Sequence, residues 1–136
     1  HTYEGDPPMA LFGGGGIVAT PADMATFFDA LLAGRVFRNG ATLALMQSPV
    51  GLPADSPYRL GLLTYSFDGV AATGHSGFWG TLVVREPVSG RTIAGAVTRR
   101  EEFDQLKALV GRYVGAAHAA ARAGGKGEGG GPPRPE

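Results

Sequence analysis

Apolar residues recur along this chain with two different periods, and the change of period divides it. From Thr20 to Gly34 they return every three or four residues. Met24, Phe27, Phe28, Leu31 and Leu32 stand at i, i+3, i+4, i+7 and i+8, which predicts a helix with one apolar face. Its start is marked by Thr20 at the N-cap, Pro21 at the first helical position and Asp23 in the first turn, and Gly34 marks its end. A shorter helix is expected over Ala41 to Gln47, before Ser48-Pro49. The turn-rich segment Val50 to Pro57 follows.

The period then shortens. Leu60 to Phe67, Val70 to Gly74, Thr81 to Arg85 and Thr92 to Thr98 are short, β-branched or apolar, and bounded by Gly, Pro, Asp or Ser. Pro87-Val88-Ser89-Gly90 reads as the hairpin turn between the last two strands. Gly95 inside a strand predicts close packing against another element. A final helix is expected from Glu101 to Ala121, with Phe103, Leu106, Val110, Tyr113, Val114 and Ala117 along one stripe. Helices at both ends of a run of antiparallel strands predict an α+β fold, not alternating βαβ units. About three to four strands should form the sheet, packed by an N-terminal helix and a long C-terminal one.

Composition narrows the chemistry. The chain has 136 residues, with 12 basic and 12 acidic side chains. A balanced charge argues against a nucleic-acid or anionic-membrane surface. Cysteine is absent, which removes disulfides and thiol chemistry. No apolar run approaches the roughly 20 residues of a membrane span. Glycine and proline are in excess, at 23 and 10 residues. Part of that excess lies in 123–136, where nine of 14 residues are Gly or Pro, so a disordered tail is expected there. The first residue is His1, as expected of a processed product or a piece of a longer protein.

Several motifs fail on spacing. His1, His75 and His118 are far apart and share no ligand spacing, so no metal or other cofactor is expected. Asp23 and Asp29 suit capping and solvation of a helix better than acid–base catalysis. Gly13 to Gly16 lack the Lys and Ser/Thr of a phosphate loop, and Ile17-Val18 follow instead. Gly74-His75-Ser76-Gly77-Phe78 approaches a nucleophile elbow, but Phe78 replaces the last glycine and a strand follows where a helix is needed. Asp104 and His118 could complete a triad in order only. On one helix they would stand about 21 Å apart. A turn histidine with purely local contacts is the plain alternative for His75.

Taken in order, these segments resemble the C-terminal half of a serine β-lactamase-like hydrolase. That family includes class C β-lactamases, DD-peptidases and related esterases. Gly14 to Phe27, reading GGGIVATPADMATF, resembles the family's small-residue run into "xSTxxDxxxF". Met46-Gln47-Ser48-Pro49 resembles the segment before a variable loop, and Tyr58-Arg59-Leu60-Gly61-Leu62 resembles a Tyr-Gly-Leu-Gly strand, departing at Arg59. His75-Ser76-Gly77 stands where the family has its third motif, Lys/His-Thr/Ser-Gly. The likeness spans about Leu11 to Ala121, within an expected domain portion 1–122.

The resemblance implies a partial β-lactamase/transpeptidase-like fold and an acyl-enzyme mechanism on small-molecule, peptide or ester substrates. It implies that His75 and Ser76 face the substrate and that Gly77 leaves room for it along an edge strand. The Phe78 backbone N–H would be an oxyanion-hole donor, and Trp79 either walls the pocket or joins the core. The catalytic Ser-x-x-Lys is absent. Ser48, Ser56, Ser66, Ser76 and Ser89 all lack a lysine three residues on, and the lysines are Lys107 and Lys126. The single asparagine, Asn39, has no tyrosine two residues earlier, so Tyr-x-Asn is absent too. The chain alone is therefore expected to be inactive and to need the N-terminal half of the same domain. Histidine for lysine in the third motif tilts the expectation toward a peptidase or esterase, and the family implies a periplasmic or secreted location. A non-catalytic binding or scaffold module is the alternative.

Overall fold

In the computed structural model, residues 17–53 and 55–125 are described. The glycine run 13–16 and most of the expected tail lie outside them. The first helix, α1 (Pro21–Leu32), begins where its cap predicts. The Thr20 hydroxyl accepts from the Asp23 amide at 3.1 Å, and the Asp23 carboxylate accepts from the Thr20 amide at 3.0 Å. This reciprocal cap satisfies amides that the helix itself leaves unpaired. The short helix α2 (Gly40–Gln47) is capped by Asn39, whose side-chain oxygen accepts from the Ala41 amide at 2.9 Å. The asparagine that fails to match a catalytic motif thus serves as a cap.

Four strands follow: β1 (Leu63–Phe67), β2 (Val70–Gly77), β3 (Thr81–Arg85) and β4 (Thr92–Ala96). They form one antiparallel sheet in sequence order. A single 3-10 turn at Arg100–Glu102 leads into α3 (Phe103–Gly124). The α+β class and the sheet flanked by two helices are as the sequence predicts. Several boundaries differ: β4 stops at Ala96, short of Thr98, because the Val97 amide turns to the Gly80 carbonyl, and α3 starts at Phe103, after a 3-10 turn that takes up Glu101. β1 starts at Leu63, not Leu60, because the chain turns at Gly61, which has φ +73°, and the Arg59 amide bonds the Leu62 carbonyl at 2.7 Å. β2 runs on past Gly74 to Gly77. α3 continues through Gly124, along an alanine-rich stretch of high helix propensity.

Alternation along the strands sorts side chains onto two faces. On the α3 face, Phe67, Ala72, Leu82 and Val84 meet Leu106, Val110 and Val114 in one buried cluster. Burying each such large side chain contributes about 1.5–3 kcal/mol. Close approach is secured by missing side chains. A Cβ on Gly95 would stand 2.6 Å from Leu106 Cδ1, and one on Gly111 would stand 2.8 Å from Phe67 Cδ1. The close packing expected at Gly95 is therefore real, and its partner is α3. Tyr113, expected on the stripe, is exposed. It stands one position from Val114, and a helix lying on a sheet buries only its central row.

The α1 face is thinner. Leu31 is the one buried residue of α1, and Phe27 remains 54 % exposed. Polar contacts do part of the joining. Asp29 bonds Arg35 at 2.6 Å, lies 3.9 Å from the Arg85 guanidinium, and accepts from the Thr92 hydroxyl at 3.4 Å. The Arg35 hydrogen bond, aided by Arg85 and Thr92 against some desolvation, holds the Asp29 carboxyl below its usual range.

Candidate functional site

The residues singled out by sequence fall at the end of β2 and the turn after it. β1 pairs with β2 only as far as Leu63 opposite Gly74. β3 pairs with the rest, from Thr73 opposite Arg85 to Gly77 opposite Thr81. His75, Ser76 and Gly77 therefore have a neighbouring strand on one side only. β2 as a whole is an inner strand, and only its last three residues form the edge that the resemblance implies.

Strand alternation separates two of the expected site residues. Ser76 stands opposite Leu82, a member of the α3-side core. His75 stands opposite Val83 and so points to the other face. His75 is half-buried there, beside Tyr58. The Tyr58 hydroxyl lies 3.5 Å from His75 Nε2, and the two rings meet edge to face, with centroids 5.9 Å apart. On the Ser76 side, Tyr65 packs against the core. Burial raises the pKa of its phenol, against a lowering contribution from the Ser76 side chain beside it.

Glycine is enforced by backbone at 74, whereas at 77 an added Cβ meets only a neighbouring side chain. A Cβ on Gly74 would collide with the Val83 carbonyl oxygen and stand 2.7 Å from Val84 Cα. A Cβ on Gly77 would collide with the Thr81 hydroxyl. The missing side chain at Gly77 therefore serves the β2–β3 crossing, besides any room it leaves for a ligand.

Phe78 and Trp79 occupy the turn Gly77–Gly80, closed by the Gly80 amide on the Gly77 carbonyl at 3.2 Å. Gly80 has φ +89° and its carbonyl accepts from the Val97 amide at 2.9 Å, which anchors the turn to the chain beyond β4. Phe78 is 71 % exposed and Trp79 67 % exposed. Trp79 is thus no core residue. The two rings pack edge to face at 5.0 Å, and the Arg100 guanidinium lies 5.2 Å from the Phe78 centroid and 5.4 Å from that of Phe103. Such stacking holds the arginine and the turn together. The Phe78 amide sits just past the last residue of β2, at the open end of the free edge.

Other chemistry lies elsewhere. Glu86, fully buried at the end of β3, accepts from the Val88 amide at 2.9 Å and the Ser89 amide at 2.6 Å. Its other contact is His118 Nδ1, at 3.0 Å. Burial pushes the Glu86 carboxyl up, but the hydrogen bonds from Ser89, His118 and the Val88 amide outweigh this and bring it down to about 2. His118 is therefore a staple from α3 to the β3–β4 hairpin. Asp104 and His118 share one helix and do not meet. A groove of about 700 Å³ lies between the β1–β2 turn and α3, lined by Asp68, Asp104, Lys107 and Arg112 among others, away from the His75 edge.

Sequence reasoning missed Tyr58 as a neighbour of His75, Arg100 as the stack on Phe78, and Glu86 altogether. Tyr58 had a signal, since it opens the segment resembling a family strand. Glu86 had none, because an acidic residue before Pro87 reads as part of an exposed turn.

Among the described residues, no three metal-ligating side chains converge and no helix is long and apolar enough to cross a membrane. A family model described as Beta-lactamase matches residues 1–116. No curated protein and no solved structure matches the chain.

Proposed function

The chain belongs to the beta-lactamase family, and on that premise we propose that it supplies the binding strand of a serine acyl-hydrolase acting on peptide, ester or β-lactam carbonyls. The observation that carries this reading is the free edge of β2 at His75–Gly77, with the Phe78 amide at its end. An extended substrate adds to such an edge through its own backbone amide and carbonyl groups. A carbonyl placed at the end of the edge meets the Phe78 N–H, which stabilises the negative charge that develops as the carbonyl becomes tetrahedral. The imidazole of His75 supplies a ring N–H to a substrate oxygen. Phe78 and Trp79 offer apolar surface to the substituent.

The attacking serine, its lysine and the Tyr-x-Asn tyrosine come from outside this sequence, from the N-terminal half of the same domain. Histidine in place of lysine favours a D-Ala-D-Ala peptidase or an esterase over a dedicated β-lactamase, because neutral imidazole gives less fixed positive charge. A periplasmic or secreted location belongs to the same reading.

Fluorophosphonate and penicillin probes test it. The protein translated with its upstream sequence is expected to take up one of them covalently, and the 136-residue chain alone neither. In the longer protein, His75→Ala is expected to slow labelling about ten- to a hundredfold, the worth of one hydrogen bond to a charged group. A longer protein that carries Ser-x-x-Lys and takes up no probe would favour a non-catalytic binding module instead.

A further inference from the structure

We propose that Tyr58 is a positioning residue for His75. Its phenol donates to Nε2, keeps the ring proton on Nδ1, and so presents an Nδ1–H donor to a carboxylate or carbonyl oxygen of the ligand. The proposal rests on the reading of His75 as the ligand-facing residue of the β2 edge.

The geometry supplies the contact. The hydroxyl and Nε2 are 3.5 Å apart, and the edge-to-face rings limit the imidazole's rotation. The chemistry supplies its direction. A phenol is a better donor than acceptor and a neutral imidazole nitrogen is a good acceptor, so O–H···N is the stronger arrangement. Once Nε2 accepts, the proton must be on Nδ1. Nδ1 has no hydrogen-bond partner among the described residues.

The segment around Tyr58 is built to hold it there. Tyr58 bridges to Leu63, the first residue of β1. Its amide bonds the Ser56 hydroxyl at 3.2 Å, and the Thr64 amide bonds the Pro57 carbonyl at 2.8 Å. Arg59 stands where the resembling strand has glycine. Its guanidinium bonds the Tyr58 carbonyl at 2.9 Å and also the Ser56 carbonyl. The departure at Arg59 thus has a local consequence: it clamps the backbone that carries the phenol. β1 pairing ends at Gly74, so the side chain that borders His75 on this side comes from Tyr58.

Long-range proton–nitrogen correlation of the histidine rings in the 136-residue chain tests this at about pH 8.5, above the usual imidazole range. The wild type is expected to hold His75 mainly as the Nδ1–H form. Tyr58→Phe is expected to move the ratio toward Nε2–H by about fivefold, the worth of one ordinary hydrogen bond. Arg59→Ala, which keeps the phenol but frees its backbone, is expected to give a smaller shift in the same direction. A wild-type ring mainly in the Nε2–H form overturns the proposal, whether or not either variant folds. An unchanged ratio in a folded Tyr58→Phe variant overturns it equally. Adding N-acetylglycine, a carboxylate-terminated peptide mimic, is expected to shift the Nδ1–H resonance. No response to it, with the Nδ1–H form intact, counts against His75 as the ligand-facing residue and not against the Tyr58 contact.

Discussion

The two faces of the sheet are covered by helices that look alike in sequence and behave differently in the fold. Both α1 and α3 carry an apolar stripe at helical spacing. α3 buries Leu106, Val110, Val114 and Ala117, whereas α1 buries only Leu31. The α3 face is closed by shape, with glycines at positions 95 and 111 letting side chains of the partner element fill the space. The α1 face is joined partly through Asp29, Arg35, Arg85 and Thr92, and leaves Phe27 in solvent. The difference teaches that the tight packing of this chain resides on one side of the sheet. The other side carries His75 and its tyrosine, so the proposed site lies where packing is looser.

Four measurements bear on that asymmetry. Leu82→Ala, on the α3 face, is expected to cost about 4 kcal/mol in denaturant unfolding, because the cavity lies in the best-packed cluster. A loss near that of a surface change would mean that the cluster is not the source of stability.

Acid should act through the same face. The Glu86 carboxyl stands at about 2 in the fold against its ordinary 4.5. A group depressed on folding contributes stability above its unfolded value and loses it as pH falls through its folded value. About 3 kcal/mol is therefore expected to fade between about pH 4.5 and 2. Glu86→Gln should flatten that part of the pH profile, as read by thermal melts, and His118→Ala should shrink it.

Thr20→Ala removes the cap of α1 and is expected to cost about 1 kcal/mol. If the cost instead matches that of Leu82→Ala, α1 belongs to the stable core and the asymmetry disappears. Phe27→Ser is expected to change stability by less than about 0.5 kcal/mol, as an exposed substitution should. A loss of several times that in the isolated chain would show that Phe27 is covered in solution.

The elements were legible because their signals are local. A threonine, a proline and an aspartate in the right order begin α1 whatever surrounds them. β3 is read to the residue, because a β-branched run between Gly80 and Glu86-Pro87 has no competing reading. The ends of β1 and β2 were not legible. Gly61 turns the chain inside a run that looks extended, and His75–Gly77 are strand because β3 lies beside them. Tyr113 was misplaced for a related reason, since periodicity marks a broad stripe and the sheet accepts a narrow one.

The site was half legible. The candidate residues were singled out from the order of motifs along the chain. The internal geometry of the site did not follow. Adjacent residues on a strand point to opposite faces, so the alternation of β2 sends His75 and Ser76 apart. Tyr58 lies 17 positions before His75 and meets it only because the chain turns back at Gly61.

By itself, the sequence determined the helix caps, the order of elements, the absence of Ser-x-x-Lys and the candidate motif, because each depends on residues within a few positions of one another. Tertiary structure alone decided which helix closes the core, where β2 becomes an edge, why Gly74 admits no side chain, and which carboxylate His118 meets. These depend on distances between segments far apart in the chain. Such distances are set by packing and strand register, which no local pattern encodes.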